Sequence, residues 1–171
     1  KQSVGAKPLT FPALTWVIDT YDMNGKPNAM TIAWAGTYCS NPTCISISLR
    51  KATYSYPVLW KTEIYGHILS EEYLRQADYI GIASVRDGYK FEAACLILVR
   101  SELVPAPYVG EFPVVIGCKL LHTFEIGLHT LFVGEILDIK ADESVLDEKG
   151  NPDIRKSGLL HTILEIETIM I

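Results

Sequence analysis

From Pro27 to Leu49 the chain carries no charged side chain. A helix of that length is sufficient to cross a bilayer. Ser40, Asn41, Pro42 and Thr43 interrupt the stretch with turn chemistry where a spanning helix needs apolar continuity. It therefore divides into two shorter elements, and no membrane partner is expected. Lys1 to Gly5 contain no apolar run of the kind an export signal requires.

The whole chain has 171 residues, which points to a single domain over 1–171. Its formal net charge of −5, with no run of like charges, disfavours nucleic acid as the main partner. Hydrophobic residues make up 49% and charged residues 20%. A chain of this composition and length folds and buries roughly 70% of its unfolded surface. Cys39, Cys44, Cys95 and Cys118 form no CxxC pair, so reduced thiols of a cytoplasmic protein are expected ahead of disulfides or zinc.

Leu14 to Tyr21 is β-branched and aromatic, and Asp22-Met23-Asn24-Gly25-Lys26 supplies a turn, which together predict a hairpin returning as a strand over Asn28 to Tyr38. From Cys44 to Leu49, Ile45, Ile47 and Leu49 alternate with Cys44, Ser46 and Ser48, the small polar row ending in Arg50. This period of two predicts a strand with one apolar face. Thr53 to Trp60, with Pro57 in the first turn, predicts a short helix. Ile64 to Leu69 reads as a strand. Ser70 reads as the N-cap of a second helix, with Tyr73, Ala77 and Ile80 on its inner face. A polar loop over Ser84 to Lys90 precedes a strand at Leu96 to Val99. Phe112 to Phe124 and His129 to Lys140 read as long strands joined near Gly127. Six or seven strands with two or three short helices, returning by short turns, favour a mainly β antiparallel barrel over a doubly wound sheet.

No GxSxG, HExxH, Walker A or Rossmann glycine pattern is present. Two segments suit a phosphate: Ser46 to Arg50 with Thr53-Tyr54-Ser55, and Ser84 to Lys90. Arginine can fork two donors onto phosphate oxygens while hydroxyls and loop amides take the others. Taken alone, Arg50 and Lys90 are more often solvated surface charges. Asn28 to Trp34 sets small and polar residues beside a tryptophan, a surface able to accept a flat heteroaromatic ring; tight barrel packing at Ala29, Ala33 and Ala35 is the alternative.

The order of these segments, from Gly25-Lys26-Pro27-Asn28-Ala29-Met30-Thr31-Ile32-Ala33-Trp34 through Ser46 to Arg50, Thr53-Tyr54-Ser55, Ser84 to Phe91, Ala106-Pro107 and Glu111 to His129-Thr130-Leu131-Phe132-Val133-Gly134-Glu135, resembles the flavin reductase-like family, and within it the flavoredoxin branch. The resemblance runs from about Lys7 to Asp153. It implies an FMN-binding split barrel, an antiparallel fold usually found as a homodimer with flavin near the subunit interface. Asn28, Met30, Thr31, Ile32, Ala33 and Trp34 would line the flavin ring. Ser48, Leu49, Arg50, Tyr54, Ser55, Ser84 and Lys90 would hold the ribityl and phosphate groups. His129 would stand near the open ring face as the candidate catalytic residue, where NADH, NADPH or a redox protein delivers electrons. A hydrogen-bonded histidine at a strand start or dimer contact is the equal alternative.

The implied activity is electron or hydride transfer through FMN, by an NAD(P)H-dependent flavin reductase or a flavoredoxin-type carrier. The alternative is a non-catalytic flavin-binding or interaction protein on the same barrel. This chain departs from the family pattern at Val85, Tyr89 and His67, where relatives commonly have Gly, Asp and Asn, and over the tail Ile163 to Ile171.

Overall fold

The computed structural model describes residues 1–3, 5–8, 13–59, 63–83, 89–153, 155–158 and 161–162, with the backbone alone at 58, 161 and 162. Two strands open the chain, β1 (Ala13–Leu14) and β2 (Trp16–Tyr21). β3 (Pro27–Ile32), β4 (Ala35–Ser40) and β5 (Thr43–Arg50) follow, then α1 (Tyr56–Leu59) and β6 (Ile64–Ile68). After α2 (Leu74–Ile82) and α3 (Lys90–Ala93) come β7 (Leu98–Arg100), β8 (Pro107–Val109), β9 (Val114–Ile126), β10 (His129–Ala141) and β11 (His161–Thr162).

Seven strands form one antiparallel sheet in the order β3-β2-β6-β9-β10-β5-β4. Its two edge strands are consecutive in the chain, with only Ala33 and Trp34 between them. The sheet must therefore curl until its edges meet, which makes it a barrel; Ser48 N donates to Trp34 O (2.8 Å) at the junction. Away from that bend the edges diverge, each with its own single neighbour, and the barrel is split. The strand expected over Asn28 to Tyr38 is thus two strands. One continuous strand could not pair with β2 along its first half and β5 along its second, so the chain bends at Ala33-Trp34.

The period of two in β5 holds: Ile45, Ile47 and Leu49 enter the core, while Ser46, Ser48 and Arg50 are half-buried on the other face. Cys44 also belongs to that other face but is buried. The core inside the barrel joins these residues to Trp16, Ile18, Ile32, Val114, Ile116 and Phe132. Val17 and Ala29 face the opposite way, beneath Leu69, Ala77, Ile80 and Phe91. β2 is consequently buried on both faces, which explains how Asp19 comes to be fully enclosed. His67 Nε2 and the Val109 amide both donate to Asp19 Oδ2 (2.7 and 3.1 Å), tying β2, β6 and β8 together with Phe112 against the imidazole edge.

β9 and β10 are the long strands of the expected hairpin, turning at Gly127 in the left-handed region (φ 54°) that glycine adopts without a steric penalty. Gly117 serves another need: a Cβ there would sit 2.8 Å from the Tyr65 ring. Ser70 does not cap with its side chain. It begins a single 3₁₀ turn, Glu71–Tyr73, whose first amide is satisfied by Gly158 O (2.8 Å), and α2 starts only at Leu74. Ala77 and Ile80 are buried as their spacing predicts, with Tyr73 packed partly against them. Among the described residues no helix is long and apolar enough to cross a membrane, and no group of three His, Cys, Asp or Glu could hold a metal.

Candidate functional site

Strand β5 delivers Arg50 to a tight turn. Thr53 donates to the Arg50 carbonyl twice, from its amide (3.1 Å) and its hydroxyl (3.0 Å), and Tyr56 N then donates to Thr53 O (3.1 Å). Tyr56 Oη hydrogen-bonds Thr130 Oγ1 (3.0 Å), anchoring the turn to β10. His129, at the start of β10, is the direct cross-strand partner of Arg50. Their side chains therefore share one face of the sheet.

Further contacts surround this strand end and turn. The Trp34 indole, 44% exposed at the barrel bend, stacks on the His129 imidazole with ring centroids 4.7 Å apart and planes inclined by 28°. On the other side of the turn, Asn28 Nδ2 donates to Ser55 Oγ (2.8 Å), and both residues are buried. Tyr54 Oη donates to Asp22 Oδ2 (3.2 Å), while Asp22 Oδ1 accepts from the Asn24 and Lys26 amides (2.7 and 2.9 Å). Burial alone would push the Asp22 carboxyl up. The Lys26 and Asn24 amides, then Tyr54 and the Lys26 charge, outweigh it and hold the group below its ordinary 3.8.

Asn28, Trp34, Ser48, Arg50, Tyr54, Ser55 and His129 are thus linked through one bend, one strand end and one turn. Other expected ligands are placed differently. Ile32 and Leu49 point into the barrel core, and Met30 packs against it, so Ile32 and Leu49 offer a ligand only main-chain atoms. Thr31 Oγ1 is turned toward α2, donating to Ala77 O (2.6 Å), and Ala33 is buried at the bend.

Lys90 departs most from a solvent-facing phosphate ligand. Its Nζ is buried and donates to Ala29 O (2.7 Å) and more weakly to Ile80 O (3.4 Å), joining α3, β3 and α2. Burial pushes its amine down to about 8, with Asp19 opposing that shift. Ser84 and Val85 lie outside the described residues, as does the tail 163–171. Asp22 is the residue that sequence reasoning assigned only to a turn. The Asp-x-Asn-Gly pattern signals its local amide bonds, whereas the Tyr54 contact joins residues far apart in sequence and has no local signature.

The crevice inside the barrel, between Ile45, Ile47, Leu59, Ile64 and Phe132, offers no polar side chain to orient a ligand. The outer face has the complementary chemistry: the Arg50 guanidinium, the half-buried Ser48 hydroxyl and the exposed Trp34 ring, next to the turn where Asn28 braces the Ser55 hydroxyl. That donor set fits a flat heteroaromatic ring carrying a phosphate.

Residues 9–162 match the flavin reductase like domain family. A flavoredoxin of Desulfovibrio vulgaris (Miyazaki F) is 46% identical, covering 92% of this chain and 85% of its own, and superposes with a TM-score of 0.85. The flavoredoxin from Methanosarcina acetivorans, 21% identical over 96% of this chain and 88% of its own, shares the fold with a TM-score of 0.83. An uncharacterized protein of Archaeoglobus fulgidus is 29% identical over 137 residues, 80% of this chain and 76% of its own. The chain belongs to the flavin reductase like domain family, with the split-barrel architecture of its flavoredoxin relatives.

Proposed function

We propose that this chain binds FMN at the mouth between the β3–β4 bend and the β5–α1 turn and transfers electrons through it. The observation that carries this reading is the pairing of Arg50 with His129, itself stacked on Trp34, at the strand end that leads into the turn carrying Tyr54 and Ser55. The 46% identical flavoredoxin supports it independently.

Bound FMN supplies the redox chemistry, accepting and releasing electrons singly or as hydride. Arg50 and the hydroxyls of Ser48 and Ser55 hold the phosphate and ribityl end, with Asn28 fixing Ser55, while Tyr54, whose hydroxyl donates to Asp22, accepts from a ribityl hydroxyl. Trp34 and the main chain of 28–34 border the ring and exclude water from one side. His129 stands beside that ring site and orients the incoming electron donor. NADH or NADPH serves as that donor in the reductase form of this reading, and a redox protein in the carrier form.

A homodimer completes the same site. At the tip of the β9–β10 hairpin Phe124, Ile126 and Leu128 are 48%, 69% and 71% exposed. They adjoin His129 and Arg50 through the strand register. A contiguous apolar tip beside a binding mouth is the surface a second copy covers.

The test is a visible spectrum of the FMN-loaded protein under anaerobic conditions, followed by additions of NADH and NADPH. Bleaching by either nucleotide identifies the reductase form. Bleaching only by a reduced redox protein identifies the carrier. Bound flavin that neither donor reduces at a useful rate identifies a non-catalytic binding protein, and failure to bind FMN overturns the proposal.

A further inference from the structure

Cys39 and Cys44 are direct cross-strand partners on β4 and β5. The register brings them together through an irregularity: Ala35, Gly36 and Thr37 pair with Ile47, Ser46 and Ile45, and the shift between Thr37 and Cys39 skips Tyr38, so that Cys39 rather than Tyr38 opposes Cys44. Directly opposed residues on antiparallel strands have Cα atoms about 4.5–5.5 Å apart and side chains on one face. Disulfides form at Cα separations of about 4.4–6.8 Å. The remaining cysteines lack this relation. Cys95 is exposed on another segment, and Cys118 on β9 is separated from Cys44 by the whole width of β10, about 9–10 Å and too far to bridge.

The two thiols differ in access. Cys39 is half-buried, with its Sγ donating to Asn41 O (3.4 Å), whereas Cys44 is buried. Burial pushes the Cys44 thiol up, and the nearby Cys39 sulfur adds to that rise. Cys39 is therefore the sulfur an outside reagent meets first. The pair lies at the end of β5 remote from Arg50, six residues or about 20 Å along the strand.

We propose that Cys39 and Cys44 form a reversible dithiol–disulfide site that reacts with low-molecular-weight disulfides and, when oxidised, locks the β4–β5 hairpin in its shifted register. The Cys39 thiolate attacks one sulfur of the small disulfide, breaking its S–S bond and releasing one small thiol. The Cys44 thiolate then attacks Cys39 Sγ, forming the cross-strand bond and expelling the second small thiol. The two protein thiols are oxidised, the reagent is reduced to two thiols, and the protons leave the cysteines for the departing thiolates.

To test this, reduced native protein freed of reductant is incubated with oxidised glutathione, quenched with N-ethylmaleimide in denaturant and digested. A fragment ending at Arg50 contains Cys39 and Cys44 and neither of the other cysteines. The expected fragment is lighter by two hydrogens, carries no maleimide on either cysteine, and regains both labelling sites after dithiothreitol. Cys44→Ser should stop at a glutathione adduct on Cys39. Cys39→Ser, a change at the less buried position, should leave Cys44 fully labelled, which keeps the test available should Cys44→Ser fail to fold. Maleimide on both cysteines of the wild-type fragment, glutathione retained on Cys39 beside a labelled Cys44, or a bond from either to Cys95 or Cys118 would each overturn the proposal.

Discussion

Asp22 shows how one side chain can connect a turn to the proposed binding site. Its carboxylate gathers two local amides and the Tyr54 hydroxyl. Because its folded pKa lies below 3.8, the folded state binds this proton less tightly than the unfolded chain. The resulting stabilisation is complete above the unfolded value and disappears as pH falls through the lower folded value. Asp22→Ala should cost about 1–3 kcal/mol at neutral pH through the unmade hydrogen bonds, and the difference from wild type in denaturant melts should shrink with acidification below pH 3.8. Lys90 works in the opposite range. Its amine titrates near 8 when folded and 10.5 when unfolded, so between those values the unfolded chain holds more protons and this group makes stability rise with pH. Lys90→Met should flatten that rise in melts taken from pH 8 to 10.5. The inward path of Lys90 was illegible in the sequence: its polar neighbours suggest a solvent-facing loop, and the carbonyl that captures it belongs to Ala29, 61 residues away.

At the scale of elements, β5 and the β9–β10 hairpin could be read directly because alternation and turn residues are local properties. The break between β3 and β4 could not. Asn28 to Tyr38 is uniformly compatible with extended chain, and only the closure of the sheet decides that its halves pair with different strands. Ser70 illustrates the same limit, since the group satisfying the first amide after it comes from Gly158. The core alternation of β5 has a direct test. Ile47, 1% exposed within the barrel, should lose about 2–5 kcal/mol on truncation to alanine, measured by urea unfolding. A similar truncation at half-buried Ser46, on the other face, should cost less than about 1 kcal/mol.

For the whole molecule, the barrel's closure and the candidate mouth are one structural event. The bend that joins the sheet edges also exposes Trp34, and β5 closes the barrel with the strand that ends at Arg50. The sequence resemblance named most of the residues proposed for that site, but which of them face the barrel core instead emerged only from the fold. The proposed dimer has its test at the apolar hairpin tip: Ile126→Asp combined with Leu128→Asp should convert a dimer to a monomer in sedimentation velocity and weaken FMN, whereas an unchanged mass would remove the dimer proposal.

The most direct measurement is equilibrium titration of wild-type protein and Arg50→Ala with FMN and with riboflavin, which lacks the phosphate. The expected result is that wild type binds FMN more tightly than riboflavin, and that the substitution weakens FMN about 10- to 100-fold, the loss of a charge-assisted contact, while riboflavin changes little. Equal losses for both ligands, or no FMN binding by the wild-type protein, would contradict the placement of a flavin phosphate at the end of β5.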